Sequence, residues 1–180
     1  MMKDNGNEIL NQTKLIDETF KKYFKRIGYT YAEEREITSR IDKSVYFIGS
    51  AISVLKPYFL ERRIPDEGVF LVQRAIRTQL LKNIYDERIS EWSSYFEAMG
   101  ILVNYENINK LCQDVWNYFH NELGIKREDM IIKAFSKDTD LIQAWKSVEK
   151  YPAIEYDSKP KTYYRHKYGL QDIRNIWEKF

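Results

Sequence analysis

The chain has 180 residues, of which 43% are hydrophobic, 15% aromatic and 31% charged, and its formal net charge is +2. This length and balance predict one domain over residues 1–180, while one cysteine and two histidines exclude a disulfide framework and suit a metal site poorly. No apolar run reaches the roughly 20 residues that a membrane span needs, and the start lacks a secretory signal pattern, so we expect a cytoplasmic protein with no membrane partner.

The chain begins with a polar segment and a clear amphipathic helix. Residues 1–12 are polar, and we predict that they are disordered. From Thr13 to Ile27 apolar residues recur three and four positions apart, which is the spacing of one helix face. Gly28 is a natural helix stop. The pattern therefore predicts a helix over Thr13–Ile27.

Two β-rich runs follow, separated by a short helical pattern. The first run is Val45–Ile48, and Gly68 opens the second, Val69–Val72. Between them we predict a helix over Ser53–Leu60 that is interrupted at Pro57.

The segment after Val72 is ambiguous. Its apolar residues recur at helical spacing as far as Ile84, and good helix formers are frequent, although it continues directly from a β-rich run. Tyr95–Val103 is typical of a strand, and Gly100 within it indicates a bulge or a close approach of another element.

The second half of the chain has the strongest helical pattern. One apolar stripe runs from Ile108 to Phe119 and ends near Gly124. Met130–Phe135 alternates like a strand, and Asp138 is placed to cap a further helix that ends before Pro152.

The order of these elements favours one fold class. Strands do not alternate regularly with helices, which disfavours a doubly wound parallel sheet. We therefore predict an α+β fold with a mainly antiparallel sheet flanked by helices.

Residue patterns alone give few signals of chemistry. The chain contains neither of the two common glycine-rich phosphate loops. Cys112 lies in a helix stripe, where a free cysteine is usually core packing. His120 borders the same stripe and fits a structural histidine better than a general base. These features alone indicate only a soluble α+β domain.

Several short segments in a fixed order add a resemblance. With similar spacing they resemble the catalytic domain of alanyl-tRNA synthetases, a class II synthetase fold, from Thr13 to Val148. The segments are FKKYFKRIGY, FIGSAISVLKPYFL (Phe47–Leu60), VQRAIR (Val72–Arg77), YFEAMG (Tyr95–Gly100), VWNYFHNELGI and Ala134–Trp145.

The resemblance implies roles for specific residues. Arg77 matches the arginine that contacts the α-phosphate of ATP, and Phe96 matches the phenylalanine that stacks on adenine. Glu97 follows Phe96 and is expected to orient the strand or the adjoining loop of this ATP site. A fixed guanidinium and a flat aromatic face suit a phosphate and a purine. The alternative makes Arg77 a solvent-facing helix residue and Phe96 a core strand residue.

The chain also departs from the family pattern. The segment Thr78–Ser94 has no glycine, where the family has a glycine-containing loop, and Lys82 is the candidate to replace the loop lysine of the ATP site. The motif-3 arginine of the family has no counterpart in the chain.

The basic, tyrosine-rich tail has three open interpretations. Lysine and arginine side chains interleave with tyrosines over Lys159–Tyr168, a composition suited to phosphates and stacked bases. The segment equally fits a strand of the family's substrate pocket or a basic surface loop.

The resemblance implies activation of an amino acid with ATP and Mg²⁺, which gives an aminoacyl-adenylate for tRNA or another acceptor. Self-association or a partner chain would supply what the chain lacks. The alternative is a catalytically inactive paralogue that acts as a binding or regulatory module, so the sequence leaves open whether the chain is an enzyme.

Overall fold

The computed structural model describes the backbone of residues 4–78 and 94–157, and their side chains from residue 11 onward. The chain divides into two compact units, residues 1–104 and 105–180, and the expectation of one domain stays a prediction. The elements of the first unit are α1 (Asp4–Arg26), β1 (Thr30–Tyr31), α2 (Ala51–Leu60), β2 (Val69–Ile76) and β3 (Tyr95–Leu102). Those of the second unit are α3 (Ile108–Asn117), β4 (Ile131–Phe135), α4 (Thr139–Lys146) and β5 (Ala153–Asp157).

Helix α1 begins earlier than its apolar pattern predicts. It starts at Asp4, inside the polar segment over residues 1–12. Its buried end packs on β2 through aromatic rings, with centroids 5.7 Å apart for Phe20 and Phe70 and 5.6 Å apart for Phe24 and Phe70. Apolar side chains at three- and four-residue spacing thus meet one face of the sheet.

The sheets are mixed, and the prediction of a mainly antiparallel sheet is not confirmed. In the first unit the strand order is β1-β2-β3, with β1 parallel and β3 antiparallel to β2. In the second unit β4 and β5 pair in parallel. The α+β character is retained. Local periodicity predicts a strand but not the direction of its partner, which is why this part of the prediction failed.

The first β-rich run is not a strand. Val45–Ile48 is irregular. Ile48 donates to the Ile37 carbonyl at 2.8 Å and accepts from the Ile76 amide at 2.9 Å, while the Val45 amide donates locally to the Asp42 carbonyl at 3.4 Å. The Ile48 side chain is fully buried. Only Ile48 of the run enters the core, because Tyr46 and Phe47 are exposed. The helical interpretation of the segment after Val72 is also wrong as far as Ile76, because β2 continues to that residue.

Helix α2 lies against the opposite face of the sheet from α1. It runs through Pro57 without interruption, since its buried Val54 and Leu55 hold it in the core. A β-carbon added at Gly100 would lie 2.5 Å from that of Ala51, which confirms the close approach predicted for Gly100. The pairing of β2 with β3 is continuous, so there is no bulge there.

The second unit follows its predicted pattern. Helix α3 passes into a π-helical turn over Tyr118–Glu122, and Gly124 then adopts a φ of 69°. The Asp138 side chain accepts a hydrogen bond from the Leu141 amide at 3.3 Å, so it caps α4 as predicted. No helix in residues 4–78 or 94–157 is both long and apolar enough to span a membrane.

Candidate functional site

The pairing of β2 with β3 places Arg77 and Phe96 on one face of the sheet. Phe96 lies directly opposite Ala75. Arg77 follows β2 and extends the pairing, because its amide donates to the Ser94 carbonyl at 2.8 Å. Side chains two positions apart on a strand point the same way. Arg77 and Phe96 therefore project from neighbouring chain segments on the face that α2 covers further along.

The two side chains are in contact. The guanidinium carbon of Arg77 lies 4.8 Å from the centroid of the Phe96 ring, within the range of a cation–π interaction. Its Nε donates to the Gly49 carbonyl at 3.0 Å. Arg77 is exposed and Phe96 is half-buried. The guanidinium is thus held between an aromatic ring and a main-chain oxygen.

The position of the Gly49 carbonyl depends on α2. Gly49 lies just before the helix, whose N-cap Ser50 has an extended backbone. The same stretch is tied to the sheet by the hydrogen bond from the Ile76 amide to the Ile48 carbonyl. Because α2 packs directly on Gly100, the Gly49 carbonyl is fixed relative to the strands.

Glu97 lies on the other face of the sheet. It is adjacent to Phe96 on a strand, so its side chain points the opposite way, and it pairs across from Arg74. Arg74 is engaged there by Glu34, with its Nε 2.6 Å from a carboxylate oxygen. Glu97 therefore does not join Arg77 and Phe96. The strict alternation of a strand could have indicated this from the sequence.

The ion pair on that other face has a clear electrostatic signature. Burial by itself raises the pKa of Glu34, but hydrogen bonds from the Arg74 side chain and backbone outweigh it and lower the pKa below its ordinary value. Arg74 is thus ion-paired with Glu34, whereas Arg77 contacts a main-chain carbonyl and an aromatic ring.

Gln73 is a structural residue that sequence reasoning missed. Its side chain is fully buried; it accepts from the Arg35 amide at 2.9 Å and donates to the Arg35 carbonyl at 2.8 Å. These bonds fasten the segment after β1 to the strand that leads to Arg77. The available signal was a polar residue inside the apolar run VFLVQ.

A buried ion pair joins the segment before α2 to the helix. Lys56 Nζ lies 2.5 Å from Asp42 Oδ2, with side chains 8% and 4% exposed, and it also donates to Ser44 Oγ at 2.8 Å. Burial by itself raises the pKa of Asp42, but hydrogen bonds from Lys56 and Ser44 outweigh it and lower the pKa. The sequence signal was a lysine within the apolar helix pattern SVLKPY.

The remaining candidates lie away from Arg77 in the chain or outside the described residues. Burial raises the pKa of the Cys112 thiol to about 12, and its side chain is fully buried, as expected of core packing. His120 is exposed, stacks on Trp116 at 4.6 Å and 10°, and has Nδ1 2.9 Å from the Ile125 carbonyl oxygen. Lys82 and the tail over Lys159–Tyr168 fall outside the residues that the structure describes.

The described side chains include no cluster of three or more His, Cys, Asp or Glu residues that could hold a metal ion. The charged group in contact with the Phe96 ring is the Arg77 guanidinium. A guanidinium binds carboxylate or phosphate oxygens through paired hydrogen bonds.

Comparisons with known proteins agree with the ordered segments. A family model described as "tRNA synthetases class II (A)" matches residues 15–159. The expected resemblance to the alanyl-tRNA synthetase family is thereby confirmed.

Among curated proteins the chain is similar to several alanine–tRNA ligases. It is 23% identical over 139 residues to the alanine–tRNA ligase of Thermoanaerobacter sp. (strain X514). This match covers 76% of this chain and 16% of the relative. The ligase of Granulibacter bethesdensis (strain ATCC BAA-1260 / CGDNIH1) is 23% identical over 141 residues, which are 76% of this chain and 16% of that ligase. That of Orientia tsutsugamushi (strain Ikeda) is 24% identical over 141 residues, with 74% and 16% covered. The chain thus spans about 16% of the length of these curated relatives.

Proposed function

The chain belongs to the class II tRNA synthetase family of the alanyl type, and from this premise we propose that it binds ATP on the sheet face that carries Arg77 and Phe96. The observation that supports this proposal is the direct contact between these two side chains, at 4.8 Å. A cation for phosphate and a ring for a purine lie next to each other, as an adenine nucleotide requires.

The proposed reaction is adenylate formation. A carboxylate oxygen of the amino acid attacks the α-phosphorus of ATP, and the bond between the α-phosphorus and the α,β-bridging oxygen breaks as pyrophosphate leaves. Negative charge accumulates on the α-phosphate oxygens in the transition state, where the guanidinium of Arg77 stabilises it. Phe96 holds the adenine by stacking, and Mg²⁺ enters with the phosphates as part of the substrate. The names of the relatives suggest alanine as the amino acid.

The complete activity is proposed for an assembly larger than the described residues. The relatives are much longer than the matched region, and we propose that self-association or a partner chain contributes to the site. The acceptor of the aminoacyl group is tRNA or another molecule, in a cytoplasmic setting.

Calorimetry of ATP with Mg²⁺ tests the binding step. A charge-assisted phosphate contact contributes about 1.5–3 kcal/mol, so Arg77→Ala should weaken ATP binding about tenfold or more. Arg74→Ala is the matched control, because it removes the same charge from the other face of the sheet. Absence of ATP binding, or equal losses in the two variants, would contradict the site.

Isotope exchange between pyrophosphate and ATP, with alanine present, tests the chemical step. We expect little exchange with this chain alone and more when a complementary chain is added.

The second candidate is a non-catalytic binding module that keeps the family fold. It is favoured by the glycine-free segment Thr78–Ser94, which departs from the glycine-containing loop of the family. This candidate predicts a folded protein with no pyrophosphate exchange in any mixture, whether or not ATP binds.

A further inference from the structure

We propose that an exposed aromatic pair, Tyr46 and Phe47, stacks unpaired bases of an RNA strand, and that two cations beside the pair contact the phosphates of that strand. The cations are Arg40 and Lys43. This surface lies in the irregular segment between β1 and α2. The inference rests on the proposed function, because it names the surface that holds the acceptor of the aminoacyl group.

The two aromatic side chains point away from the core. Tyr46 is 80% exposed and Phe47 is 46% exposed, although the next residue, Ile48, is fully buried. Adjacent exposed aromatic rings form a patch of the kind that commonly marks a binding surface. Since the core does not use these two rings, substitution of either should leave the fold intact.

The backbone that carries the rings is anchored on both sides. Before them, the buried carboxylate of Asp42 accepts hydrogen bonds from the Ser44 amide at 3.0 Å and from the Ser44 hydroxyl at 2.6 Å. The same carboxylate is ion-paired with the buried Lys56 of α2. After them, the Ile48 carbonyl accepts from the Ile76 amide of β2. The anchored backbone presents the rings in place, which reduces the entropy lost when a ligand binds.

The exposed charges beside the rings are positive. Arg40 and Lys43 are both exposed, and within residues 11–78 and 94–157 neither of them forms an ion pair. Asp42 lies between them in the sequence, but its carboxylate is buried and bound to Lys56. Cations next to aromatic rings suit a strand that offers both phosphates and bases.

A base can stack on Tyr46 without displacing Arg40. The guanidinium carbon of Arg40 lies over the Tyr46 ring, 5.7 Å from its centroid. Because Tyr46 is 80% exposed, most of its ring stays open to solvent. A base therefore adds to the open side of the ring, while the guanidinium remains beside it and within reach of the phosphates.

The rings adjoin the proposed ATP site along the chain. Phe47 is two residues before Gly49, whose carbonyl accepts from Arg77 Nε at 3.0 Å. Two residues of extended chain span at most about 7 Å. A strand whose end reaches the adenylate can thus lie across the rings. An unpaired strand fits better than a duplex, since its bases can splay out and stack on aromatic side chains.

Fluorescence anisotropy with a labelled single-stranded RNA of about 12 nucleotides tests the stacking, with a blunt duplex of the same length for comparison. The wild-type chain should bind the single strand more tightly than the duplex. Tyr46→Ala should weaken this binding about tenfold, because it removes one stacked base, whereas Tyr46→Phe keeps the ring and should bind like the wild type. Absence of binding at low salt, equal binding of strand and duplex, or an unchanged affinity in Tyr46→Ala overturns the inference.

The salt dependence of the same binding tests the phosphate contacts. For a single strand, each phosphate contact contributes about 0.7 to the slope of log K against log salt concentration. Arg40→Gln and Lys43→Gln should each reduce the slope by about this amount. Arg63→Gln is the matched control, since it removes an exposed cation beyond the far end of α2 and should leave the slope unchanged. Slopes in Arg40→Gln and Lys43→Gln that equal the wild-type slope overturn the phosphate contacts.

Two further measurements separate the possible failures. Calorimetry should give Tyr46→Ala the ATP affinity of the wild type, so if ATP binds and the RNA does not, this inference fails alone. If the RNA binds through Tyr46 and ATP does not bind, the proposed function fails, and the surface loses its role for an acceptor. Sedimentation tests a second copy of the chain as the occupant. If Tyr46→Ala dissociates a dimer and leaves RNA binding unchanged, the rings join two copies and the inference is overturned.

Discussion

Gly100 and Ala51 are in contact with no room for another methyl group. A β-carbon at Gly100 would lie 2.5 Å from the Ala51 β-carbon, and 3.3 and 3.4 Å from methyl carbons of Leu55 and Leu71. This contact sets the separation of β3 from the first turn of α2. Because Gly49 precedes that turn, the contact also fixes one side of the candidate site.

Gly100→Ala should therefore destabilise the chain and weaken ATP binding together. Overpacking of this kind costs about 1–3 kcal/mol, measurable as a shift in the urea midpoint. The double variant Gly100→Ala with Ala51→Gly should recover most of this loss, because the clashing methyl group is removed. Gly49→Ala is a control for stability, since its β-carbon would meet only the Ile76 carbonyl oxygen at 3.7 Å. Strict additivity of the two single substitutions would contradict the proposed contact.

Removal of one partner of the buried Lys56–Asp42 ion pair should lower the free energy of unfolding more than removal of both partners. Lys56→Met leaves the Asp42 carboxylate buried without its cation, which typically costs about 3–5 kcal/mol in free energy of unfolding. The double variant Lys56→Met with Asp42→Asn should lose less than Lys56→Met alone. Unfolding in urea at neutral pH gives both values. A double variant that is less stable than Lys56→Met would show that the pair itself stabilises the chain.

The same ion pair predicts that the free energy of unfolding depends on pH in the acidic range. The pKa of Asp42 in the folded chain lies below its ordinary value of 3.8, so the folded state holds the proton less tightly than the unfolded state. The contribution of Asp42 is therefore complete above the unfolded value and is lost as the pH falls from 3.8 through the folded pKa. The stability difference between the wild-type chain and the double variant should shrink across that window. Carboxyl groups usually titrate between roughly pH 6 and pH 3. A stability difference between the two proteins that stays constant over this range would contradict the prediction.

Arg62 has a positive φ of 52° just beyond the end of α2. A left-handed backbone strains a residue with a β-carbon, whereas glycine adopts it readily. Arg62→Gly should therefore raise the free energy of unfolding by about 0.5–1 kcal/mol, despite the larger entropy that glycine has in the unfolded chain. Arg63→Gly is the control, since it removes the same charge from the next position, which has no positive φ. Thermal unfolding should show opposite shifts for the two variants.

Local patterns predicted the elements better than their arrangement. The stripe in α3 and the cap at Asp138 are local signals, and both elements formed as expected. By contrast, Val45–Ile48 has the composition of a strand but is irregular, and only Ile48 of the run is buried in the core. The parallel pairing of β1 with β2 depends on distant residues that periodicity does not reveal.

The candidate site was predictable only in part. Helical spacing after Val72 was as good as strand spacing, so the proximity of Arg77 and Phe96 followed from the family resemblance and not from periodicity. The resemblance also grouped Glu97 with them, although alternation along β3 places it on the other face. The buried amide of Gln73 and the pair of Asp42 with Lys56 became evident only from tertiary contacts.

The hydrogen-bond acceptor of Arg77 is a main-chain carbonyl, that of Gly49, so the bond does not depend on which side chain stands at position 49. Substitution at position 49 replaces a side chain but leaves its carbonyl in place. A β-carbon there would meet only ordinary van der Waals contact, and Gly49 is not among the glycines with positive φ. Position 49 can therefore drift without removing the hydrogen bond to Arg77. Two homologues could therefore differ at position 49 and still share this hydrogen bond. Their percentage identity would then understate how similar their sites are.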